Sequence, residues 1–335
     1  MKRAPATAGE FELIDAFVAC FPRARTPRGP GDDCALLPPS RRALCVTTDA
    51  VVEDVHFRRA TFRPEDIGHK ALAVNLSDLA AMGAEPAWFV CALALPPDFG
   101  REACVRLGRG MARLARESGI ALVGGNVTRA RELSVTLTVA GHAPARPLLR
   151  SGGRAGDLLY VSGRLGEARH GLRELEAGVR RGAAVERQRR PTPRLALGRL
   201  AARFASAGMD LSDGLAQDLG HLARASRVAA RVVPAWLPVS PALARVLGLE
   251  RARAEALAGG EDYELLLAVP PARARAFERA CGRGGHTVTC VGALARGPAG
   301  RVILEGSRGA PLRDALGRPV ALPAGHDHLA GRPGR

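Results

Sequence analysis

Lysine is nearly missing from this chain. Lys2 and Lys70 are the only two, so a formal net charge of +16 rests almost entirely on arginine. Arginine without lysine, in a chain rich in alanine, glycine and proline, reads as compositional bias rather than a surface shaped for polyanions. The densest run is Arg180, Arg181, Arg187, Arg189, Arg190 and Arg194. It has no interleaved aromatics on which bases could stack and no zinc-finger spacing. The expectation is therefore a solvated face, with no specific nucleic-acid partner and at most weak, salt-sensitive polyanion affinity.

Other scarcities narrow the class further. Aromatics are 4% of the residues against 47% apolar overall, so any core is built from Ala, Val and Leu. The seven cysteines are odd in number and form no CxxC pair. That excludes a disulfide framework or a cysteine zinc site and predicts reduced, mostly buried thiols in a cytoplasmic protein. No run approaches 18 apolar residues, and the opening MKRAPATAGEFELIDAF carries no apolar signal core, so neither a membrane span nor secretion is expected. The phosphate-loop pattern GxxxxGK[ST] and the protein-kinase motif set are also missing.

What is present suits two domains, since 335 residues exceed one ordinary domain. Apolar spacing predicts a helix over 9–21, then a Pro/Gly/Arg loop to residue 30, then a strand over 43–48 with Asp49 at its exit. Pro64-Glu65-Asp66 opens a helix running toward Met82-Gly83, with proline and acids where the first turn favours them. Strands are predicted at 87–95, 120–123 and 133–140, with a helix at 103–118 and a Gly124-Gly125 turn. Residues 144–156, rich in Pro, Gly and Arg, mark the domain boundary, with domains of 1–145 and 146–335. Beyond it come a strand at 157–162, helices at 168–178, 193–207 and 215–226, a turn at 209–214, and a strand at 263–269. This alternation is α/β (α+β) layering. No long repeat is evident, although Leu-Ser-Asp occurs in each half, at Asp78 and at Asp213.

The informative feature is where the acids sit. Asp32 and Asp33 follow Gly31, Asp49 follows Thr47-Thr48, and Asp78 adjoins Ser77. Asp210 and Asp213 flank Ser212, and Glu261-Asp262 follow paired glycines. Carboxylates bordered by apolar segments are costly to bury unless paired or bound to a cation. Hard oxygen ligands beside Thr and Ser hydroxyls suit magnesium, which combines one or two carboxylates with substrate phosphates. Any one of these acids has an ordinary reading as a turn residue or helix cap; five such turns in one chain point to phosphate chemistry. Gly124-Gly125 and Ser212-Asp213-Gly214 can present backbone N–H groups to phosphate.

The written-out motifs are more specific. GEFELIDAF (9–17), GDDCALL (31–37), TTDAVVEDVHF (47–57), GHKALAVNLSDLAAMGAEPAWF (68–89), RSGGRAGDLLYVSG (150–163), DLSDGLAQDLGHL (210–222) and GGEDYELL (259–266) occur in this order. In this the chain resembles the thiamine-monophosphate kinase family of the aminoimidazole-ribonucleotide-synthetase-like superfamily. The resemblance implies a two-domain fold whose N-terminal domain, which also carries ATP and magnesium, forms a shared β-barrel on homodimerisation. It implies magnesium ligands at Asp33, Thr47, Thr48, Asp49, Asp78, Asp210 and Asp213, of which Asp33, Asp49, Asp78 and Asp210 are the catalytic acids. ATP contacts fall on Gly124, Gly125, Asn126, Arg150 and Ser212, and thiamine phosphate contacts on His56 and Glu261.

Two departures stand out. Asn126 occupies a position where the family usually has an aspartate ligand, which predicts weaker binding of one metal. Residues 323–328 read Pro-Ala-Gly-His-Asp-His where the family often has an aromatic wall. Three rivals stay open at this point: another ATP-dependent enzyme of the superfamily with a different small substrate, a basic nucleic-acid-binding protein, and a degenerate, non-catalytic ATP-binding relative, which Asn126 motivates.

Overall fold

The computed structural model describes residues 9–23, 26, 29–30, 34–306, 309–312, 320 and 322, with only the backbone at Glu10. The chain divides into two compact units, 1–79 with 85–143, and 80–84 with 144–335.

In the first unit a helix α1 (Glu10–Val18) precedes strand β1 (Leu44–Val52), helix α2 (Pro64–Ala81), strand β2 (Glu85–Leu95), helix α3 (Arg101–Ser118), and strands β3 (Ala121–Arg129) and β4 (Ser134–His142). The sheet order is β1-β4-β2-β3, which leaves β1 and β3 as the two edges. Phe89, Cys91, Leu93 and Leu95 alternate along β2 as its buried face, matched by Val135, Leu137 and Val139 on β4. That alternation fits a sheet covered on one face. Helices α2 and α3 cross closely because glycines meet backbone: a Cβ on Gly68 would lie 2.1 Å from the Leu107 carbonyl oxygen, and one on Gly110 would lie 2.0 Å from that of Glu65.

Two expectations change here. Asp49 lies inside β1, not at its exit, because β1 continues through Val52 in antiparallel register with β4. Gly124 and Gly125 form no turn; β3 runs straight through them beside β2. The reason is tertiary: a Cβ on Gly125 would come within 2.1 Å of the Cys91 carbonyl oxygen.

The second unit contains β5 (Leu158–Ser162), α4 (Glu167–Glu176), α5 (Ala183–Arg189), α6 (Leu195–Ala201), β6 (Ala207–Asp210), α7 (Leu215–Ala225), β7 (Ala229–Val232), α8 (Pro241–Leu247), α9 (Leu249–Ala258), β8 (Leu265–Val269), α10 (Pro271–Arg283), β9 (Val288–Ala295) and β10 (Val302–Leu304). Its sheet runs β10-β7-β9-β5-β8-β6 and is antiparallel except for the β10–β7 pair. One face packs Leu215, Leu219 and Leu222 of α7 with Ala256 and Leu257 of α9. The other packs Leu197 and Ala201 of α6 with Ala274 and Phe277 of α10. The helix expected over 193–207 stops at Ala201, and Ala207 begins a strand instead. Ala-Gly-Met is weakly β-forming by composition, but pairing with β8 and complete burial override local preference.

Candidate active site

In the first unit, β1 and α2 bring two of the expected ligands into contact. Thr47 Oγ1 donates to Asp78 Oδ2 at 2.5 Å. Asp49 lies two residues further along β1, hence on the same face as Thr47, and is exposed. Thr48 points to the other face, where its hydroxyl donates to the Leu137 carbonyl at 2.9 Å. Sheet register relates these residues to the glycines: Asp49, Leu137, Cys91 and Gly125 form one row across all four strands. Asn126 falls in the next row, with Ala92, Thr136 and Ala50. It therefore occupies the opposite face and the opposite edge from Asp49, about 14 Å away across three strand spacings. Within one chain's sheet these two expected ligands do not meet.

His56 is half-buried in a tight turn after β1. Val52 N–H donates to its Nδ1 at 3.2 Å, which leaves the ring proton on Nε2. Asp54, with φ of 61°, makes the turn, and the His56 N–H donates to the Val52 carbonyl at 2.9 Å.

In the second unit, the ends of β5 and β6 and the start of β8 lie together, as the pairs Asp210↔Leu265 and Val161↔Leu266 require. The segments 211–214 and 259–264 are laced by backbone bonds: Glu261 N–H to Ser212 O at 2.7 Å, Tyr263 N–H to Leu211 O at 2.9 Å, and Leu211 N–H to Glu264 O at 2.8 Å. Gly260 is needed there, since a Cβ would lie 2.6 Å from the Ser212 carbonyl oxygen. Asp210, Ser212, Asp213 and Glu261 are thus gathered at one end of the sheet. Arg150 is exposed in a segment whose carbonyl accepts from Ser226 Oγ at 2.9 Å.

Further side chains that the sequence did not single out hold these segments. Asp218, in the first turn of α7, accepts N–H bonds from Asp213 and Gly214, both 3.1 Å, through Oδ2. Its Oδ1 is buried without a hydrogen-bond partner. Burial first, and then the charges of Asp213 and Asp210, push this carboxyl up to about 8. Three mutually repelling carboxylates with an orphaned oxygen are what a divalent cation relieves. Among the described residues no three His, Cys, Asp or Glu side chains close on a common point. A cation here would take further ligands from water and phosphate oxygens, as magnesium does.

The loop carrying Glu261 is held from below. Asp262 accepts from Gly166 N at 2.7 Å and Ala168 N at 3.2 Å at the start of α4. Glu264 is fully buried and accepts from Ser162 Oγ at 2.5 Å, Arg187 Nη2 at 2.7 Å and Arg194 Nε at 2.7 Å. Gln188 Nε2 donates to Glu261 Oε2 at 2.5 Å. This corrects the solvated-face reading of the arginine run: Arg187 and Arg194 turn inward to a buried acid, and Arg189 is itself buried, donating to the Arg180 carbonyl at 2.9 Å. A signal was present, since Glu264 sits inside an apolar strand pattern where an acid needs a cationic partner. Asp33 and residues 323–328 lie outside the described residues.

The chain is similar to known proteins along most of its length. Residues 31–143 match the family model of the AIR synthase related protein N-terminal domain, and 154–305 match that of the C-terminal domain. The thiamine-monophosphate kinase of Escherichia coli (strain K12) is 40% identical over 336 residues, covering 96% of this chain and 98% of the relative. The crystal structure of thiamine-monophosphate kinase from Stenotrophomonas maltophilia K279a superposes with a TM-score of 0.80 at 40% identity, covering 88% of this chain and 96% of that one. AaThiL complexed with AMPPCP and TMP superposes with a TM-score of 0.71 at 31% identity, covering 90% and 96%. The chain belongs to the thiamine-monophosphate kinase family.

Proposed function

We propose that this protein transfers the γ-phosphoryl group of ATP to the phosphate of thiamine monophosphate, giving ADP and thiamine diphosphate. The observation that carries the reading is the full-length relationship to kinases of that name, one solved as AaThiL with AMPPCP and TMP. Asp49, Asp78, Asp210 and Asp213 are the kind of groups that such a reaction needs.

The attacking atom is a phosphate oxygen, anionic near neutral pH, so no strong general base is required. The obstacle is bringing two highly negative groups together. When bound, magnesium supplies the neutralising charge and holds the reacting oxygens in line. Within the first unit Thr47, Asp49 and Asp78, with Asp33, are groups that would hold magnesium, and within the second unit Asp210 and Asp213 are; Thr48 faces away from Thr47 and Asp49, and Asn126 can offer only an uncharged carbonyl. Asp218 keeps the Asp213-Gly214 backbone in place beneath them. Ser212, Arg150 and the Gly124-Gly125 edge serve ATP in this reading. His56, with its proton on Nε2, suits a phosphate oxygen, and Glu261 suits a donor or cationic group of the thiamine moiety.

The working unit in this reading is a cytoplasmic homodimer. β1 and β3 are open edges, and β1 exposes Val46 (58%) and Leu44 (44%). Apolar open edges favour closure by a second copy, as a shared barrel would provide. Residues 1–145 would form the ATP-, magnesium- and dimer-forming domain and 146–335 the second. No helix among the described residues is long and apolar enough to cross a membrane.

Titrating magnesium into protein with an ATP analogue, followed by calorimetry, checks the cation assignment. Asp213→Asn should weaken magnesium-dependent analogue binding by at least tenfold; unchanged binding would remove Asp213 from the ligand set.

A further inference from the structure

Of 49 Lys and Arg residues only Lys2 and Lys70 are lysine, and Lys70 is the one in the described structure. It is also the most deeply buried basic side chain described, 1% exposed. A chain that uses arginine at every other described basic position keeps lysine at this one. The surroundings give the reason. Nζ donates to the His56 carbonyl oxygen at 3.1 Å and stands 5.5 Å from the centroid of the Phe62 ring. Phe62 in turn packs on Phe57, both 4% exposed, with ring centroids 6.2 Å apart. A compact ammonium on a flexible stem can meet this carbonyl and this ring face together, whereas a guanidinium is longer, planar and fixed in the directions of its five donors.

The carbonyl that Lys70 holds belongs to the residue whose ring orientation matters. The His56 ring is already tied at Nδ1 by the Val52 N–H, 3.2 Å away, so Lys70 on the carbonyl and Val52 on the ring fix both ends of the residue. The turn carries one costly backbone conformation, Asp54 at φ of 61°, and is held by the Asp54 N–H on the Phe57 carbonyl at 2.8 Å and the His56 N–H on the Val52 carbonyl at 2.9 Å. We propose that Lys70 is a positioning residue for His56, locking the turn so that Nε2–H faces the phosphate-bearing substrate, and that arginine cannot replace it. This rests on the reading of His56 as a contact to thiamine monophosphate.

The test compares wild type, Lys70→Met, Lys70→Arg, His56→Ala and the Lys70→Met/His56→Ala double variant, each confirmed folded by its thermal midpoint. Both lysine variants should raise KM for thiamine monophosphate roughly tenfold, with kcat and KM for ATP changed less than about twofold. The double variant should be no worse than His56→Ala alone, since Lys70 acts through His56. A parallel readout needs no substrate: nitrogen NMR of labelled histidine, with His56 assigned by His56→Ala. Wild type should show one bare and one protonated ring nitrogen, and Lys70→Met should average them. Additive losses, an equal rise in KM for ATP, a fully active Lys70→Arg or an unchanged His56 ring spectrum would each overturn the proposal. Wild type that makes no thiamine diphosphate would overturn the substrate reading instead, while the ring spectrum still decides whether Lys70 orients His56.

Discussion

Gln188 donates from Nε2 to Glu261 Oε2 at 2.5 Å, joining the buried end of α5 to the loop before β8. The donor is uncharged, although its neighbours Arg187 and Arg189 are cations. The amide thus gives the Glu261 carboxylate a directional contact. Replacing Gln188 by Leu removes this contact and should loosen the carboxylate's orientation, raising KM for thiamine monophosphate about three- to tenfold and leaving KM for ATP unchanged. Steady-state kinetics with each substrate varied in turn checks this; a shift in both KM values would point to a general disturbance of the fold.

Glu264 is the anchor of the same loop. Its carboxylate is fully buried between Arg187, Arg194 and Ser162. Glu264→Leu leaves two guanidinium groups facing an apolar stub, and the expected cost is about 3–5 kcal/mol of stability. Denaturant unfolding measures it. A loss below about 1 kcal/mol would mean that the arginines find water instead.

Asp262 gives the fold a pH dependence with a defined sign. Burial pushes its carboxyl up to about 7 from the ordinary 3.8, while the N–H bonds from Gly166 and Ala168 pull the other way. The folded chain thus keeps a proton that the unfolded chain has released across this range. Stability from this group is complete below about pH 4, falls as pH rises toward about 7, and is level above that. Asp262→Asn removes the titration, so the wild-type thermal midpoint should fall relative to the variant between pH 4 and 7. Parallel curves would contradict the assignment.

Val46, exposed near the start of edge strand β1, provides a test of the dimer. Val46→Arg should convert a species of twice 35.2 kDa into one of 35.2 kDa in sedimentation velocity, with loss of activity. A wild-type monomer with full activity would refute the homodimer.

The motif acids were legible because turn chemistry is local: Asp210, Ser212, Asp213 and Glu261 stand in short segments whose glycines and serines announce them. What the sequence could not convey is distance through space. Gly124-Gly125 looks like a turn until the Cys91 carbonyl is found pressed against it. Arg187 and Arg194 look solvated because their partner, Glu264, is 77 and 70 residues away along the chain. Nothing in the sequence singles out Asp218, and only folding reveals that Asp213 and Asp210 repel it. Asn126 could be named from its motif, but its position on the far edge and far face from Asp49 follows from strand order alone.

The most direct test of the central claim is a transfer assay with purified protein, γ-labelled ATP, thiamine monophosphate and magnesium, run beside Asp49→Ala and Asp210→Asn. The account predicts labelled thiamine diphosphate from the wild type, none without magnesium, and a loss of at least a hundredfold in each variant. Label that never reaches thiamine diphosphate, or variants as active as wild type, would contradict it.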